Sequence, residues 1–287
     1  MPENLVVVGS GVMGRGIAYV SAVGGFQVKL VDIKSEQLEN AEKELGKIFD
    51  KGVERGKIST DDKEEAKGRL AYETDLAGAV QDADLVIEAV PENMDIKKSV
   101  FEQLDQHAPE RCFFATNTST MSPTELGSYT KRPERVIAMH FFNPVHKMKL
   151  VEIIRGLETS DETAQVARES AEKMGKETVV ANEFPGFVTS RISTLVGNEA
   201  FRMLEEGVGS AEEIDKAIKL GLNYPMGPFE LGDLVGLDTR LNNLNYLHQT
   251  LGERFRPSPL LVKYVKAGRL GRKTGKGVFD YSEEKKS

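Results

Sequence analysis

His140 is the residue of this chain best placed for acid–base chemistry. It ends the apolar run Val-Ile-Ala-Met and opens Phe-Phe-Asn-Pro, so a strand would hold its ring at the edge of a sheet. A neutral imidazole in such a place can take a proton from a bound hydroxyl. The alternative, a histidine that only packs against its neighbours, stays open. Of the other histidines, His107 and His248 are interpreted as surface or packing residues, and His146, in a loop, as either.

A nearby carboxylate favours the catalytic interpretation of His140. Glu152 lies within the apolar run of residues 149–154, which predicts a strand. A charged glutamate is costly to bury unless a cation or a hydrogen-bond donor faces it, and His140 is the nearest candidate in the sequence. A carboxylate against the imidazole would fix its tautomer and raise its basicity. If this face of the strand lies in water instead, Glu152 has no such meaning.

A glycine-rich turn near the start of the chain predicts a dinucleotide site. Residues 5–8 have the pattern of a buried strand, residues 15–20 continue as a helix, and the turn between them is Gly9-Ser10-Gly11-Val12-Met13-Gly14. Gly9 permits the turn, Gly11 lets a pyrophosphate approach the backbone, and Gly14 lets the helix pack close to the strand. The N–H groups and the dipole of the helix N-terminus would face the phosphates. A ligand-free glycine turn is the alternative for the motif alone.

Asp32 makes the nucleotide interpretation more specific. It ends a second predicted strand, residues 27–31, where an acidic side chain can accept hydrogen bonds from the ribose hydroxyls of an adenosine. The same carboxylate would repel the 2′-phosphate of NADP, so NAD is the predicted cofactor. Lys34 is the nearby cation that would soften this preference.

Strand and helix patterns alternate through the first two thirds of the chain and predict an α/β fold with a doubly wound, mostly parallel, Rossmann-type sheet. The further predicted strands are residues 84–90, 112–116, 136–140, 149–154 and 177–180. In such sheets ligands bind beyond the carboxyl ends of the strands. We therefore expect Glu92, Lys97, the turn Asn117-Thr118-Ser119 and residues 140–143, which include Asn143, to border the cofactor.

A helical hairpin is predicted between the second strand and the rest of the sheet. Its first helix starts at Ser35, and Ser59, Thr60 or Asp61 caps a second helix that runs to about Arg69. One face of the first helix carries a basic row with four-residue spacing: Lys43, Lys47, Lys51 and Arg55. The row is either a solvated face paired with acidic neighbours or a site for an anionic ligand.

The chain becomes entirely helical after the last predicted strand. Residues 182–187, which contain a Pro-Gly pair, interrupt the pattern and predict a domain boundary there. The predicted domains are a cofactor-binding domain at residues 1–183 and a smaller all-α domain at residues 184–287. About 100 residues make a small core, and the helix at residues 192–205 is strongly apolar. We therefore expect the helical domain to pack against a second copy of the chain in a homodimer.

Composition narrows the class of protein. The net charge of −7 argues against a nucleic-acid partner, and no run approaches the length of a membrane-spanning helix. Met1-Pro2-Glu3 leads directly into the first strand and leaves no room for a signal or transit peptide, so a cytoplasmic protein is expected. The single Cys112 is interpreted as a buried apolar residue; it provides no disulfide and no thiolate pair for zinc, so no metal is expected.

Taken together, these motifs resemble the L-3-hydroxyacyl-CoA dehydrogenase family over nearly the whole chain. The matching segments, besides the glycine turn, are residues 86–89, 117–119, 140–144, 148–152, 185–187, 224–231 and 270–277. The resemblance implies an NAD-dependent oxidoreductase that interconverts 3-hydroxyacyl-CoA and 3-ketoacyl-CoA, most similar to the short-chain 3-hydroxybutyryl-CoA type of fatty-acid and butyrate metabolism. It leaves the acyl-chain length, the physiological direction and the pathway open.

The resemblance also implies roles for individual residues. It makes His140 the general base and Glu152 its orienting carboxylate, and it places Ser119 at the substrate oxygen near the nicotinamide. It assigns contacts with NAD to Asp32, Glu92, Lys97, Ser119 and Asn143, and contacts with coenzyme A to Lys51 and Arg55. The family commonly has Val-Asn-Arg after Pro-Gly-Phe, whereas this chain has Thr189-Ser190-Arg191. Ser190 therefore stands where an active-site asparagine is expected.

Two other functions are considered beside this one. The first is a hydroxy-acid dehydrogenase of the gulonate type, which the basic helical hairpin disfavours. The second is an NAD(H)-binding protein without turnover, which the predicted pairing of His140 with Glu152 disfavours.

Overall fold

The first part of the chain alternates strands with helices, as its apolar patterns predict. The strands are β1 (Asn4–Val8), β2 (Gln27–Val31), β3 (Leu70–Glu73), β4 (Leu85–Glu88), β5 (Phe113–Thr116), β6 (Val136–Phe141), β7 (Leu150–Arg155) and β8 (Glu177–Asn182). In the computed structural model, which describes residues 2–282, they form one sheet in the order β3-β2-β1-β4-β5-β6-β7-β8. Every neighbouring pair is parallel except β6 and β7, which are antiparallel. The predicted mostly parallel, doubly wound fold is confirmed.

Helices cover both faces of this sheet. They are α1 (Val12–Val23), α2 (Ser35–Glu54), α3 (Thr60–Gly68), α4 (Leu76–Ala79), α5 (Met94–His107), α6 (Pro123–Ser128) and α7 (Asp161–Lys173). Helices α2 and α3 form the predicted inserted hairpin. Ser59 is the residue that caps α3, since its hydroxyl accepts a hydrogen bond from the Asp62 backbone N–H and Asp62 accepts one from the Ser59 backbone N–H. Separate apolar clusters fill the two faces of the sheet.

The chain divides between Phe184 and Pro185 into two compact units, which we call the sheet unit and the helical unit. The helical unit contains α8 (Thr189–Glu205), α9 (Ala211–Gly221), α10 (Pro228–Val235), α11 (Leu237–Leu251) and α12 (Pro259–Lys266), which pack around their own apolar cluster. Met1 and residues 283–287, at the ends of the two predicted domains, lie outside the described residues. No helix within residues 2–282 is long and apolar enough to cross a bilayer.

Strand β3 is the sheet element that the sequence analysis does not predict. It begins two residues after α3 ends, contains four residues, and all four are half-buried. A pattern that short cannot be separated from the end of a helix by periodicity alone. Its parallel pairing with β2 is what defines it as the edge strand of the sheet.

Two glycines fix the turn between β1 and α1. Gly9 has a φ of 103°, a conformation that side-chain-bearing residues rarely adopt. A Cβ added to Gly14 would lie 1.7 Å from the carbonyl oxygen of Gly9, so only glycine lets α1 pack this close to the turn. The order of the strands reverses between β1 and β4, which opens a crevice beyond their carboxyl ends.

Candidate active site

His140 and Glu152 lie directly opposite each other in the sheet. The antiparallel register of β6 and β7 pairs them, and Glu152 Oε2 lies 2.7 Å from His140 Nδ1. The Glu152 side chain is fully buried, and the His140 side chain is nearly so. An ionised carboxylate only accepts hydrogen bonds, so we assign the proton to Nδ1 and the lone pair to Nε2. The pair thus presents an oriented imidazole that can take a proton.

The strand next to β6 is tied to it at the same edge. Asn117 follows β5, and its side-chain oxygen accepts a hydrogen bond from the Phe141 backbone N–H at 2.9 Å. The ring of Phe142 packs against the His140 ring, with 4.5 Å between their centres. These contacts hold the carboxyl ends of β5 and β6 together and set the position of the histidine relative to the turn at residues 117–119.

Glu92 organises the turn that carries Ser119. Its Oε1 accepts hydrogen bonds from the Ser119 backbone N–H at 3.1 Å and from the hydroxyl of Thr118. Thr118 is buried, and its hydroxyl oxygen accepts hydrogen bonds from the backbone N–H groups of Thr120 and Met121. Ser119 itself is half-buried. The structure therefore brings together Glu92 and Ser119, both of which are predicted site residues, through the backbone of one turn.

Lys97 lies beneath this turn as a buried cation. Its ammonium nitrogen lies 2.7 and 2.9 Å from the two carboxylate oxygens of Glu88 and 3.3 Å from Glu92 Oε2. Glu88, at the end of β4, also accepts hydrogen bonds from the Thr116 hydroxyl and the Val90 N–H. Lys97 is 1% exposed and Glu88 is fully buried. Lys97 therefore supports the site from inside, and its predicted contact with NAD stays a prediction.

Asp32 is fixed at the carboxyl end of β2 by the glycine turn. Its Oδ2 accepts hydrogen bonds from the backbone N–H and the hydroxyl of Ser10, at 2.9 and 2.7 Å, and its Oδ1 accepts one from the Lys34 N–H at 3.3 Å. Ser10 is buried, so within the predicted cofactor motif it orients Asp32. Three of the roughly four acceptor sites of the carboxylate are used, so one site, on Oδ1, is left for a ribose hydroxyl.

The residues present fit NAD. A Cβ added to Gly11 would meet no atom within 4 Å, so the backbone at the start of α1 faces open space. No side chain caps this helix and no acidic residue lies in its first turn, which leaves its N–H groups and positive dipole end for a diphosphate. Val12 is exposed and Met13 is half-buried beside this space. The glycine turn and Asp32 would hold the cofactor.

The other predicted site residues lie on three separate elements. Asn143 is exposed on the loop between β6 and β7. Lys51 and Arg55 are exposed at the C-terminal end of α2, and neither has an ion pair within residues 2–282, whereas Lys47 pairs with Glu44 at 2.6 Å. Of these three cations, Lys47 is the one paired with an acidic neighbour, as the solvated-face interpretation of the row expects. Ser190 lies in the first turn of α8, in the helical unit, and is half-buried.

Sequence reasoning missed Glu88 and Asn117 as individual supports of the site. The signal for Glu88 is present in the sequence, because it is a carboxylate within an apolar strand, the same feature that identified Glu152. Asn117 carries no such signal, since its role depends on the backbone of a neighbouring strand that is distant in the chain.

Two domain models of one protein family match this chain, one over each of its two units. The family model of the 3-hydroxyacyl-CoA dehydrogenase NAD-binding domain matches residues 4–184, and the model of the C-terminal domain of that family matches residues 186–281. The probable 3-hydroxybutyryl-CoA dehydrogenase of Bacillus subtilis (strain 168) is 46% identical over 283 residues and covers 98% of both chains. The mitochondrial hydroxyacyl-coenzyme A dehydrogenase of Homo sapiens is 40% identical over 97% of this chain and 91% of its own length.

A solved structure has the same architecture. The crystal structure of (S)-3-hydroxybutyryl-CoA dehydrogenase from Ralstonia eutropha superposes with a TM-score of 0.94 at 40% sequence identity, over 98% of this chain and 99% of that chain.

Proposed function

The chain belongs to the 3-hydroxyacyl-CoA dehydrogenase family of NAD-dependent enzymes, and we propose that it interconverts 3-hydroxybutyryl-CoA and its 3-keto form in fatty-acid or butyrate metabolism. The observation that carries this proposal is the buried contact of 2.7 Å between His140 and Glu152. The short acyl chain is supported by four relatives named for 3-hydroxybutyryl-CoA that are 42–48% identical to this chain.

The proposed chemistry assigns one step to each residue of the pair. His140 Nε2 takes the proton of the 3-hydroxyl group, and Glu152 keeps Nδ1–H oriented and stabilises the imidazolium that forms. Ser119 contacts the substrate oxygen and holds it near the base. When bound, NAD supplies the acceptor for the hydride from C3. In the reverse direction His140 returns the proton to the ketone oxygen.

The test of the function is a set of relative rates. Purified protein should oxidise NADH when acetoacetyl-CoA is added, and kcat/KM should be highest for the C4 substrate and fall along a series of ketoacyl-CoA substrates to C16. Rates that rise with chain length would contradict the short-chain assignment. If NADH is oxidised with the free keto acid that a hydroxy-acid dehydrogenase reduces, but not with any ketoacyl-CoA, the gulonate-type alternative is supported. If NADH binds without turnover, the non-catalytic alternative is supported.

Asp32 should make NAD the preferred cofactor. A 2′-phosphate placed at its carboxylate is repelled, and like charges in direct contact cost several kcal/mol, so kcat/KM should favour NADH over NADPH by roughly 100-fold or more. Asp32→Ser should cut this ratio by at least tenfold. Glu36→Gln, which removes one exposed negative charge from the first turn of α2, is the matched control and should leave the ratio unchanged. A preference of the wild-type protein for NADPH would refute this role of Asp32.

Lys51 and Arg55 should hold phosphate groups of coenzyme A. Replacing both by alanine should raise KM for acetoacetyl-CoA by about tenfold and weaken its salt dependence, with kcat little changed, because the lost contacts act equally on ground and transition states. Lys43→Ala, two turns earlier in the same basic row, is the control. An equal loss with an acetoacetyl thioester that lacks the nucleotide would return the row to the solvated-face interpretation.

Ser190 is proposed as a secondary positioning residue for the substrate. Its hydroxyl can both donate and accept a hydrogen bond, as the expected asparagine amide can, but on a shorter arm. A bridging water can make up that difference in length at little cost. His140 and Ser119 therefore carry most of the orientation in this proposal.

We also propose a cytoplasmic homodimer formed through the helical unit. The support is apolar exposure: Ile192 in α8, Leu220 in α9 and Leu234 in α10 are 54%, 76% and 48% exposed. Light scattering coupled to size exclusion should give twice the chain mass of 31.7 kDa, and Ile192→Lys with Leu220→Lys should reduce it to that of one chain. The cytoplasmic location rests on the sequence alone.

A further inference from the structure

The loop between β6 and β7 is held by helix α1 and by the side chain of Lys176, which lies between α7 and β8. A Cβ added to Gly16 in α1 would lie 2.7 Å from the Cβ of Val145, so the loop packs directly on the helix where glycine leaves room. The buried ammonium group of Lys176 donates hydrogen bonds to the backbone carbonyls of Val145 and Met148, one on each side of His146 and Lys147. The backbone that carries these two exposed side chains is therefore fixed.

Tyr19 connects this loop with the end of the helical hairpin. Its ring lies edge-on to the His146 ring, with 6.1 Å between their centres, and it packs on Phe49 of α2 at 4.8 Å. The Tyr19 hydroxyl also packs against Gly52 of α2, since a Cβ added to that glycine would lie only 2.9 Å from it. Gly52 is the neighbour of Lys51 in the last turn of α2. His146 thus lies beside the part of the basic row that the proposed function assigns to coenzyme A.

The charged groups around His146 are cations. Partial burial lowers the pKa of His146, and the charges of Lys147 on its own loop, Lys176 just before β8, and Arg55 and Lys51 at the end of α2 lower it further. Tyr19 on α1 is neutral, because burial raises its pKa. Lys51, Arg55 and Lys147 have no ion pair within the described residues. So many unpaired cations around one histidine indicate a site for a multiply charged anion.

We propose that His146 and Lys147 complete a phosphate subsite with Lys51 and Arg55, and that His146 donates a hydrogen bond to a phosphate oxygen of the coenzyme A nucleotide. This inference rests on the proposed function of Lys51 and Arg55. The 3′-phosphate and the diphosphate of coenzyme A share this chemistry, and the experiment below distinguishes them.

The proposal predicts that binding takes up a proton. In the free protein partial burial and the surrounding cations lower the pKa of His146, so the ring is largely neutral at pH 7, whereas a phosphate dianion in contact raises the pKa and favours the protonated ring. Coenzyme A therefore binds more tightly as the pH falls from the higher pKa of the complex towards the lower pKa of the free protein. A histidine that only packs against Tyr19 would give no such dependence.

Calorimetric titration with coenzyme A alone measures this directly, without turnover. Titrations in two buffers of different ionisation enthalpy should show proton uptake by the wild-type protein between pH 6 and 7 that His146→Gln loses. The Kd of His146→Gln should be weaker by about fivefold at pH 6, the size of one charge-assisted hydrogen bond partly exposed to water, and should approach that of the wild-type protein at pH 8. His248→Gln, in the helical unit, is the control and should behave as wild type.

Three comparisons decide the outcome. If the difference between wild type and His146→Gln persists with dephospho-coenzyme A, the diphosphate is the partner of His146; if it disappears, the 3′-phosphate is. If His146→Gln binds coenzyme A like the wild type while Lys51→Ala with Arg55→Ala binds it weakly, this inference fails and the proposed function stands. If neither variant affects coenzyme A binding, the assignment of the hairpin fails as well.

Discussion

Replacing His140 by alanine is expected to lower kcat for acetoacetyl-CoA reduction by about 10²- to 10⁴-fold, the usual contribution of a general acid or base. KM should change much less, because the imidazole acts on the proton that is transferred in the transition state and contributes little to substrate binding. Glu152→Gln keeps the volume of the buried side chain but removes its charge, so it should lower kcat by roughly 100-fold through loss of the imidazolium's counter-charge and of the fixed tautomer. Steady-state kinetics at pH 7 measure both.

The double variant tells whether the two residues act as one unit. If Glu152 works only through His140, the His140→Ala and Glu152→Gln double variant should be little slower than His140→Ala alone. Losses that multiply would mean that Glu152 contributes to the reaction separately from His140. His248→Ala is the matched control, since it removes a second histidine–glutamate contact, an exposed one at 3.2 Å with Glu253, and should leave kcat unchanged.

Replacing Lys97 by methionine should produce the largest loss of stability among single changes near the site. The substitution leaves Glu88 fully buried without a counter-charge, and breaking a buried ion pair from one side costs about 3–5 kcal/mol. The KM for NADH should also rise, because Glu92, which organises the turn of Ser119, loses the ammonium group 3.3 Å away. Urea unfolding of the purified variant, followed by a signal from the sheet unit, measures the first effect.

Two further variants test whether the loss of stability comes from the buried ion pair. Lys98→Met, one position along α5, removes an exposed contact of 3.9 Å with Glu102 and the position of the ammonium group 5.0 Å over the Tyr129 ring, and it should change the free energy of unfolding by less than about 1 kcal/mol. Lys97→Met combined with Glu88→Gln should recover most of the lost stability, because the amide is neutral, its oxygen can still accept from the Val90 N–H, and its NH2 group can donate to the Thr116 hydroxyl oxygen, which turns to accept. Equal stability of Lys97→Met and Lys98→Met would show that the buried pair contributes nothing.

The sequence by itself determined those parts of the protein that depend on local patterns. The strand, glycine turn and helix near the start of the chain, the helical hairpin after β2, and the change to an all-helical region after β8 follow from periodicity and turn chemistry within short windows. The position of Asp32 at the end of β2 follows in the same way. These features are encoded by neighbouring residues, so no knowledge of distant contacts is needed.

Only the tertiary structure decided how distant segments meet. The sequence suggested that Glu152 faces His140, but the antiparallel register of β6 and β7 is what sets the two opposite each other. Lys97, predicted at the cofactor from its place after a strand, points inward because Glu88 has no water to solvate its charge. The contact of His146 with Tyr19 joins elements more than 100 residues apart. Strand register and the pairing of buried charges are set by long-range packing, which period and spacing along the chain do not encode.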